Sequence, residues 1–378
     1  VGSWIPTWVR AALVSTTSPS ELLRVAAHTS GPPHARSNLC AAAWCFVPSA
    51  WGPVRGAAHT SAPVPLGSPR ATPRLSAVRP DAAGARRGAT HPYLTGPYPR
   101  ALVHRGWRLG ELAGLENSMA SFRRALAEGF RYLEIDVHAT SDGEVVVLHD
   151  ANLDRTTDSA GPIAAQPWEQ VRRARIGGRE PIPSLRQVID ELPGALLNID
   201  VKANLATAPT LRLLTETDVW HRVCLASFSP ARMSALRRVG GPRLITSCSP
   251  RDVVNLRLRS WLGQGLLGWA GGRLSVPATL AQVPRRQGRV TVVDPAFIGT
   301  AHELGMEVHV WTINDAAEMR ELLDMGVDGL VTDRPDLLRE VLAERGQWPD
   351  HEQLPGHEEL PGPKELPGHE QPGQQPDR

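Results

Sequence analysis

The chain has 378 residues, with 41 Lys plus Arg against 39 Asp plus Glu, a formal net charge of +2 and four cysteines. A balance this close to neutral, with no basic stripe studded with aromatics, argues against nucleic acid as a partner. Four scattered cysteines do not make a secreted disulfide framework, and no uncharged apolar run approaches the length of a membrane span, so stable membrane insertion is not expected.

A chain of this length holds two or three ordinary domains, or one α/β barrel of about 250 residues with extensions. Residues 1–98 are rich in Ala, Pro, Ser, Gly and Arg, and their best helical pattern is only Ser20–Ala27. Such a segment buries too little apolar surface to offset chain entropy, so a disordered extension is expected. Trp4–Ser15 is broken by Pro6 and Arg10 and lacks the apolar core of an export signal. Cys40 and Cys45 have no second pair to close a zinc site. Cys224 and Cys248 sit in apolar, strand-like surroundings and read as buried thiols. A reducing, cytoplasmic compartment follows, with secretion as the alternative if the first hundred residues are processed.

From Pro99 strand and helix patterns alternate, which predicts a parallel sheet with helical crossovers. Ala101–Trp107 is the first strand and delivers His104, Arg105 and Gly106. Ser118–Glu128 is a helix, with Asn117 as its N-cap and Gly129 as its stop. In the second strand, Leu133–His138, apolar residues alternate with Glu134 and Asp136, so both carboxylates leave from one face. Like charges this close call for something positive between them, and a hard divalent cation is the economical answer. Ser141-Asp142-Gly143 is a turn, Glu144–Leu148 is a strand, and His149-Asp150 stands where it ends. Residues 144–183 are too long for a plain connection and contain a helix-like Pro167–Arg175.

Ser184–Glu191 is the next helix, capped by Ser184, and Ala195–Val201 is the third strand. Asp200 and Lys202 repeat the one-residue spacing of Glu134 and Asp136. Three carboxylates, Glu134, Asp136 and Asp200, can then meet on one cation; a buried ion pair of Asp200 with Lys202 is the rival arrangement. Lys202 is one of only two lysines among dozens of arginines, which singles it out. Further units are Val223–Ser229 with Ala231–Val239, and Arg243–Ser247 with Asp252–Trp261. The sixth strand is sought in Leu274–Pro277 and Val290–Val293, before a helix near Pro295–Glu303. Glu307–Ile313 with Ala316–Met325, and Gly329–Thr332 with Asp336–Glu344, complete eight units, the (β/α)8 count. The glycine-broken run Trp261–Trp269 reads as a barrel helix end rather than a lip touching lipid. Residues 346–378 repeat Leu-Pro-Gly and are expected to be a disordered tail.

The order His104-Arg105-Gly106, Glu116-Asn117-Ser118, Glu134-x-Asp136, Thr140-x-Asp142-Gly143, His149-Asp150 and Leu153-x-Arg155-Thr156-Thr157 resembles the glycerophosphodiester phosphodiesterase family. Asn198-Ile-Asp-Val-Lys202, Ser227-Phe228-Ser229, Val310-Trp311-Thr312-Ile313-Asn314 and Thr332-Asp333-Arg334-Pro335 continue the series, which spans residues 99–345. The resemblance implies a phospholipase C-like (β/α)8 TIM barrel with a small insertion after the second strand. It also implies an enzyme of lipid metabolism that hydrolyses glycerophosphodiesters, as small-molecule substrates, to glycerol 3-phosphate and an alcohol. His104 and His149 would be the general acid and base, in either assignment, and imidazole titrates where both tasks need it. Water or a glycerol hydroxyl would be the nucleophile. One divalent cation, Mg²⁺ or Ca²⁺, would rest on Glu134, Asp136 and Asp200, although the family usually has Glu where this chain has Asp200. Arg105 suits bidentate phosphate binding and Lys202 adds a compact charge. Asn117 is a cap, a substrate ligand or both; Phe228 and Trp311 wall the pocket or belong to the core; Asp333 reads as a cap on the last helix. The alternatives are a lysophospholipase D-type lipid phosphodiesterase and a non-catalytic barrel that binds phosphoryl ligands. The oligomeric state stays open.

Overall fold

The computed structural model of the chain describes residues 91–270 and 274–348, without the side chains of 263–270. The Ser20–Ala27 helix, Cys40, Cys45 and the Leu-Pro-Gly repeats lie outside the described residues. Eight strand–helix units follow one another along the chain. They begin with β1 (Arg100–His104) and α1 (Met119–Ala127), β2 (Tyr132–Ala139) and α2 (Leu185–Glu191), β3 (Leu196–Val201) and α3 (Asn204–Thr217), and β4 (Val223–Ala226) and α4 (Pro230–Gly240). They continue with β5 (Ile245–Thr246) and α5 (Pro250–Ala270), β6 (Leu280–Pro284) and α6 (Pro295–Glu303), β7 (Glu307–Trp311) and α7 (Ala316–Met325), and β8 (Gly329–Thr332) and α8 (Pro335–Glu344). This is the (β/α)8 barrel pattern.

The chain divides into two compact units, one of Pro92–Cys224 with the described residues from His309, the other of Leu225–Val308. In the first unit the strand order is β4-β3-β2-β1-β8-β7. These neighbouring strands run parallel: His104 lies opposite Glu134, Asp136 opposite Asp200, and Val103 opposite Thr332. The second unit holds the end of β4, β5, β6 and the start of β7, with a parallel bridge from Ser247 to Leu280. Here the sixth strand corrects the sequence reading: it is Leu280–Pro284, buried along its whole length, and not Leu274–Pro277 or Val290–Val293. Val290–Thr291 instead pairs with Arg286–Gln287 in a two-residue antiparallel ribbon. Cys224 and Cys248 are buried.

All eight residues of β2 are buried. Leu133, Ile135 and Val137 pack on one side, and Glu134, Asp136 and His138 leave from the other, as alternation requires. The β1–α1 connection then folds tightly back. A Cβ on Gly106 would stand 2.2 Å from Ser121 Oγ, so only glycine, here at φ +85°, lets the loop lie on the first turn of α1. The N-cap of α1 is Ser118, whose side chain accepts from Ser121 N at 3.2 Å. Asn117, read as that cap, takes a left-handed backbone at φ 59° and sends its side chain elsewhere.

Between β2 and α2 the chain forms a small lobe. Val145–Val147 pairs antiparallel with the end of β2, Val137 opposite Val147. The predicted Pro167–Arg175 helix shrinks to one turn, Trp168–Val171, followed by a ribbon of Arg175–Ile176 with Glu180–Pro181. Val146, Leu148, Leu153, Ile163, Ile176 and Ile182 give the lobe an apolar core. The folded part also reaches past both expected boundaries. Tyr93 is fully buried and lies edge-on to Tyr132, whose hydroxyl donates to Tyr93 O at 2.8 Å. At the other end Trp348 packs on Phe130 with ring centroids 4.7 Å apart. No helix among the described residues is long and apolar enough to cross a membrane.

Candidate active site

β1 ends on His104, and the chain turns at Arg105, a left-handed residue at φ 59°. Two bonds hold that turn: Arg105 N donates to Glu134 O at 2.9 Å, and Asn117 N donates to Arg105 O at 2.8 Å. Arg105 and Asn117, two non-glycine residues at positive φ joined by that second bond, cost about 1–3 kcal/mol each, a strain concentrated where the polar groups meet. Asn117 Nδ2 donates to Asp136 Oδ2 at 3.0 Å. Asn117 therefore orients a carboxylate and does not cap the helix.

Each histidine has a carboxylate on Nδ1. His104 Nδ1 is 2.5 Å from Asp333 Oδ1, and His149 Nδ1 is 2.6 Å from Asp150 Oδ1. A carboxylate only accepts, so both rings carry the proton on Nδ1 and turn Nε2 away from it. His104 Nε2 lies 3.8 Å from Glu134 Oε2. The chain that carries His149 is pinned twice: Leu148 N donates to Asp136 O at 3.0 Å, and His138 Nε2 donates to His149 O at 3.1 Å. Burial lowers the pKa of both His149 and His138; for His149, Lys202 and Arg105 add to this, against Asp136.

Asp333 was read as a helix cap, and here the structure differs. The N-cap of α8 is Arg334, without a side-chain cap bond. Asp333 instead takes the bond from His104, an ion pair from Arg108 and a bond from Asn314 Nδ2 at 3.1 Å, while its own N–H donates to Asn314 Oδ1 at 2.8 Å. Burial would raise its carboxyl, but the bond and charge of His104 and the charge of Arg108 hold it well below the usual range. Asp150 is held to about 2, first by its bonds from Arg155 and then, against burial, by His149.

The in-register neighbours Asp136 and Asp200 would repel each other. Lys202 resolves this: its Nζ lies 2.8 Å from Asp136 Oδ1 and 2.8 Å from Asp200 Oδ2. Burial opposes the charge on Lys202, yet Asp200, Asp136 and Glu134 raise its pKa on balance. Asp136 stays ionised because Lys202 and Arg105, with both histidines, outweigh its burial. Glu134 is the opposite case: burial and the neighbouring Asp136 push its carboxyl well up, more than Arg105 and Lys202 restore. Glu116 is buried among Arg105, Arg108 and Arg155, whose bond and charges hold it down against desolvation.

Among the described residues no three His, Cys, Asp or Glu side chains stand as a ready metal site. At Asp136 and Asp200 the expected convergence on an ion is a convergence on an ammonium. The donor chemistry nevertheless fits a hard divalent cation. Glu134 Oε2 and Asp200 Oδ1 are buried oxygens without a hydrogen-bond donor, and Asn117 Oδ1 is a third.

Of the residues singled out in the sequence, His104, Arg105, Asn117, Glu134, Asp136, His149, Asp200 and Lys202 form one cluster at strand ends. Trp311 closes β7 and is partly buried; Phe228 follows β4 in the other unit and is 43% exposed. The roles of Asp333, Asp150, Arg108, Arg155 and Asn314 were missed. The adjacency of His149 and Asp150, and the motifs that contain Arg155, Asn314 and Asp333, were signals that pointed to four of them; Arg108 had none. An open cleft of about 450 Å³, lined by Arg108, Leu109, Gly114, Asn314, Asp333 and Arg334, borders the His104–Asp333 pair.

Fold and site together define a (β/α)8 barrel with its polar cluster at the C-terminal ends of the strands, where such barrels carry their chemistry. Residues 87–337 match the model of the glycerophosphoryl diester phosphodiesterase family. A probable glycerophosphodiester phosphodiesterase of Mycobacterium tuberculosis is 37% identical over 248 residues, covering 66% of this chain and 92% of that protein. A crystal structure of a glycerophosphoryl diester phosphodiesterase, so assigned, from Silicibacter pomeroyi shares the fold, with TM-score 0.55, 23% identity, and 69% and 99% of the two chains covered. A phosphodiesterase of Oleispira antarctica, solved with its product sn-glycerol-3-phosphate, superposes with TM-score 0.52 at 20% identity over 65% and 97% of the chains. The chain belongs to the glycerophosphoryl diester phosphodiesterase family, and with it to the phosphoric diester hydrolases.

Proposed function

We propose that this chain hydrolyses small glycerophosphodiesters to glycerol 3-phosphate and an alcohol, with His104 and His149 as the acid–base pair. The observation that carries this is the pairing of both imidazoles with carboxylates through Nδ1, which leaves Nε2 of each ring for proton exchange, both rings acting on the charge of Asp136. One Nε2 takes a proton from the attacking hydroxyl, and the other, protonated beforehand, gives a proton to the leaving alkoxide. A phosphorus–oxygen bond forms and another breaks. Asp333 and Asp150 stabilise whichever imidazole is charged at each stage.

Arg105, paired with Asp136 through Nε and with Glu116 through Nη1, is assigned to bind a non-bridging phosphate oxygen. Lys202 adds positive charge beside it. Glu134, Asp136 and Asp200 would hold a divalent cation, Mg²⁺ or Ca²⁺, whose chemistry is to neutralise the phosphoryl oxygens. The cleft beside Asp333 takes the alcohol, and Trp311 is assigned to the substrate wall. Residues 99–345 form the catalytic region, with the lobe of 144–183 set into it.

The test is turnover of glycerophosphocholine and related diesters after chelation, with Mg²⁺ or Ca²⁺ added back. His104→Ala and His149→Ala should each lose about 10²–10⁴-fold in rate. Wild-type turnover retained in both variants would overturn the assignment, and a rate that climbs with acyl-chain length would redirect it to lysophospholipids.

A further inference from the structure

We propose that Glu116 is a positioning residue that locks both histidine–aspartate pairs and Arg105 into one frame; the inference rests on the acid–base reading of His104 and His149. The Glu116 side chain is only 8% exposed and meets three guanidinium groups. Its Oε1 accepts from Arg155 Nη2 at 2.6 Å and Arg105 Nη1 at 3.3 Å. Its Oε2 accepts from Arg155 Nη1 at 3.3 Å and Arg108 Nη1 at 3.5 Å.

Each of these arginines also holds a second carboxylate. Arg155 grips Asp150 through Nε at 2.6 Å and Nη2 at 3.0 Å. Arg108 donates to Asp333 Oδ1 through Nη2. Arg105 Nε stands 3.1 Å from Asp136 Oδ2. An unbroken path of side chains therefore runs His104–Asp333–Arg108–Glu116–Arg155–Asp150–His149, with Arg105 as a branch.

The path joins residues from separate parts of the chain. His104 ends β1 and Arg108 follows it, Asp333 follows the neighbouring strand β8, and His149, Asp150 and Arg155 belong to the lobe. Three guanidinium groups crowded together repel one another unless one anion lies between them. Without that anion each would turn to the next carboxylate, Asp333, Asp150 or Asp136, and rotate it off its partner. Glu116 thus sets the direction of both imidazoles without touching either.

The experiment compares the full chain with Glu116→Gln, which keeps the shape and removes the charge, and Glu116→Asp, which keeps the charge on a shorter stem. Two readouts are needed: kcat and KM on a diester that the wild type turns over, and the imidazole Nδ1–H resonances in ¹⁵N-edited spectra, assigned with His104→Gln and His149→Gln. Glu116→Gln should lower kcat about 10–100-fold with KM changed far less, and should shift both imidazole resonances together. Glu116→Asp should recover part of both effects. Wild-type kcat in Glu116→Gln, or a shift in only one imidazole, would overturn the proposal. If Glu116→Gln does not fold, Arg155→Lys should move the His149 resonance and Arg108→Lys the His104 resonance; the crossed pattern, or no movement, overturns it equally. A wild type that turns over no diester refutes the catalytic reading, while the spectra still judge the frame.

Discussion

Removing the ammonium of Lys202 is the sharpest test of how the carboxylates are held. Its Nζ makes two contacts of 2.8 Å, to Asp136 and Asp200, and its side chain is only 18% exposed. At an effective dielectric of about 20, each contact is an attraction of about 6 kcal/mol before desolvation is charged against it. Burying the ammonium cancels most of that gain, and breaking such a pair costs a net of about 3–5 kcal/mol, because the abandoned carboxylates stay buried. Lys202→Met keeps the stem and deletes the charge. For a folded region of this size the loss corresponds to a melting temperature lower by about 6–20 °C. Thermal unfolding at pH 7 in EDTA measures it. Mg²⁺ or Ca²⁺ should then raise the melting temperature of the variant more than that of the wild type, because a cation replaces the missing charge among the same oxygens. A variant that melts within about 2 °C of wild type in EDTA would refute the reasoning.

Asp333 has a lowered folded-state pKa, so its stabilisation is complete above the unfolded value of about 4 and fades as pH falls below it. The gap in melting temperature between wild type and Asp333→Asn should therefore narrow on acidification from about pH 4 downward; a gap independent of pH there would contradict the pairing with His104. Asn117→Ala loses the bond to Asp136 and strains a left-handed backbone, whereas Asn117→Gly loses only the bond. Urea unfolding should find the glycine variant more stable by about 1 kcal/mol, and the reverse order would show that the backbone is not strained. Ser118→Ala should cost about 0.5–2 kcal/mol as a lost cap, measured in the same way, and no change would return the cap to Asn117.

Much of this arrangement was legible in the residues, and the rest was hidden for a physical reason. β2 announces itself because Leu133, Ile135 and Val137 alternate with Glu134 and Asp136, and one face collects the acids. The bridge of Lys202 to Asp200 was visible as a rival to a metal site, since both share a strand end. β6 was not legible: five buried residues ending in proline show no alternation, and the four residues Val290–Val293 form a denser run of valine. Asp333 was misjudged because an acid before a proline-led helix satisfies every local rule for a cap, while its partner His104 lies 229 residues away. Asn117 fell to the same local logic. Its positive φ comes from the bond to the Arg105 carbonyl, and no capping pattern encodes that.

The lobe after β2 carries His149, Asp150 and Arg155 on an apolar core of its own, joined to the strand through three residue pairs. Small cooperative regions of this kind open at lower free energy than the elements they sit on. His149, the residue proposed above as one member of the acid–base pair, is thus borne by a small lobe and not by the sheet itself, while β2 and its neighbours keep their register. Warming should silence this chain several degrees before it melts it, with the loss fully regained on cooling.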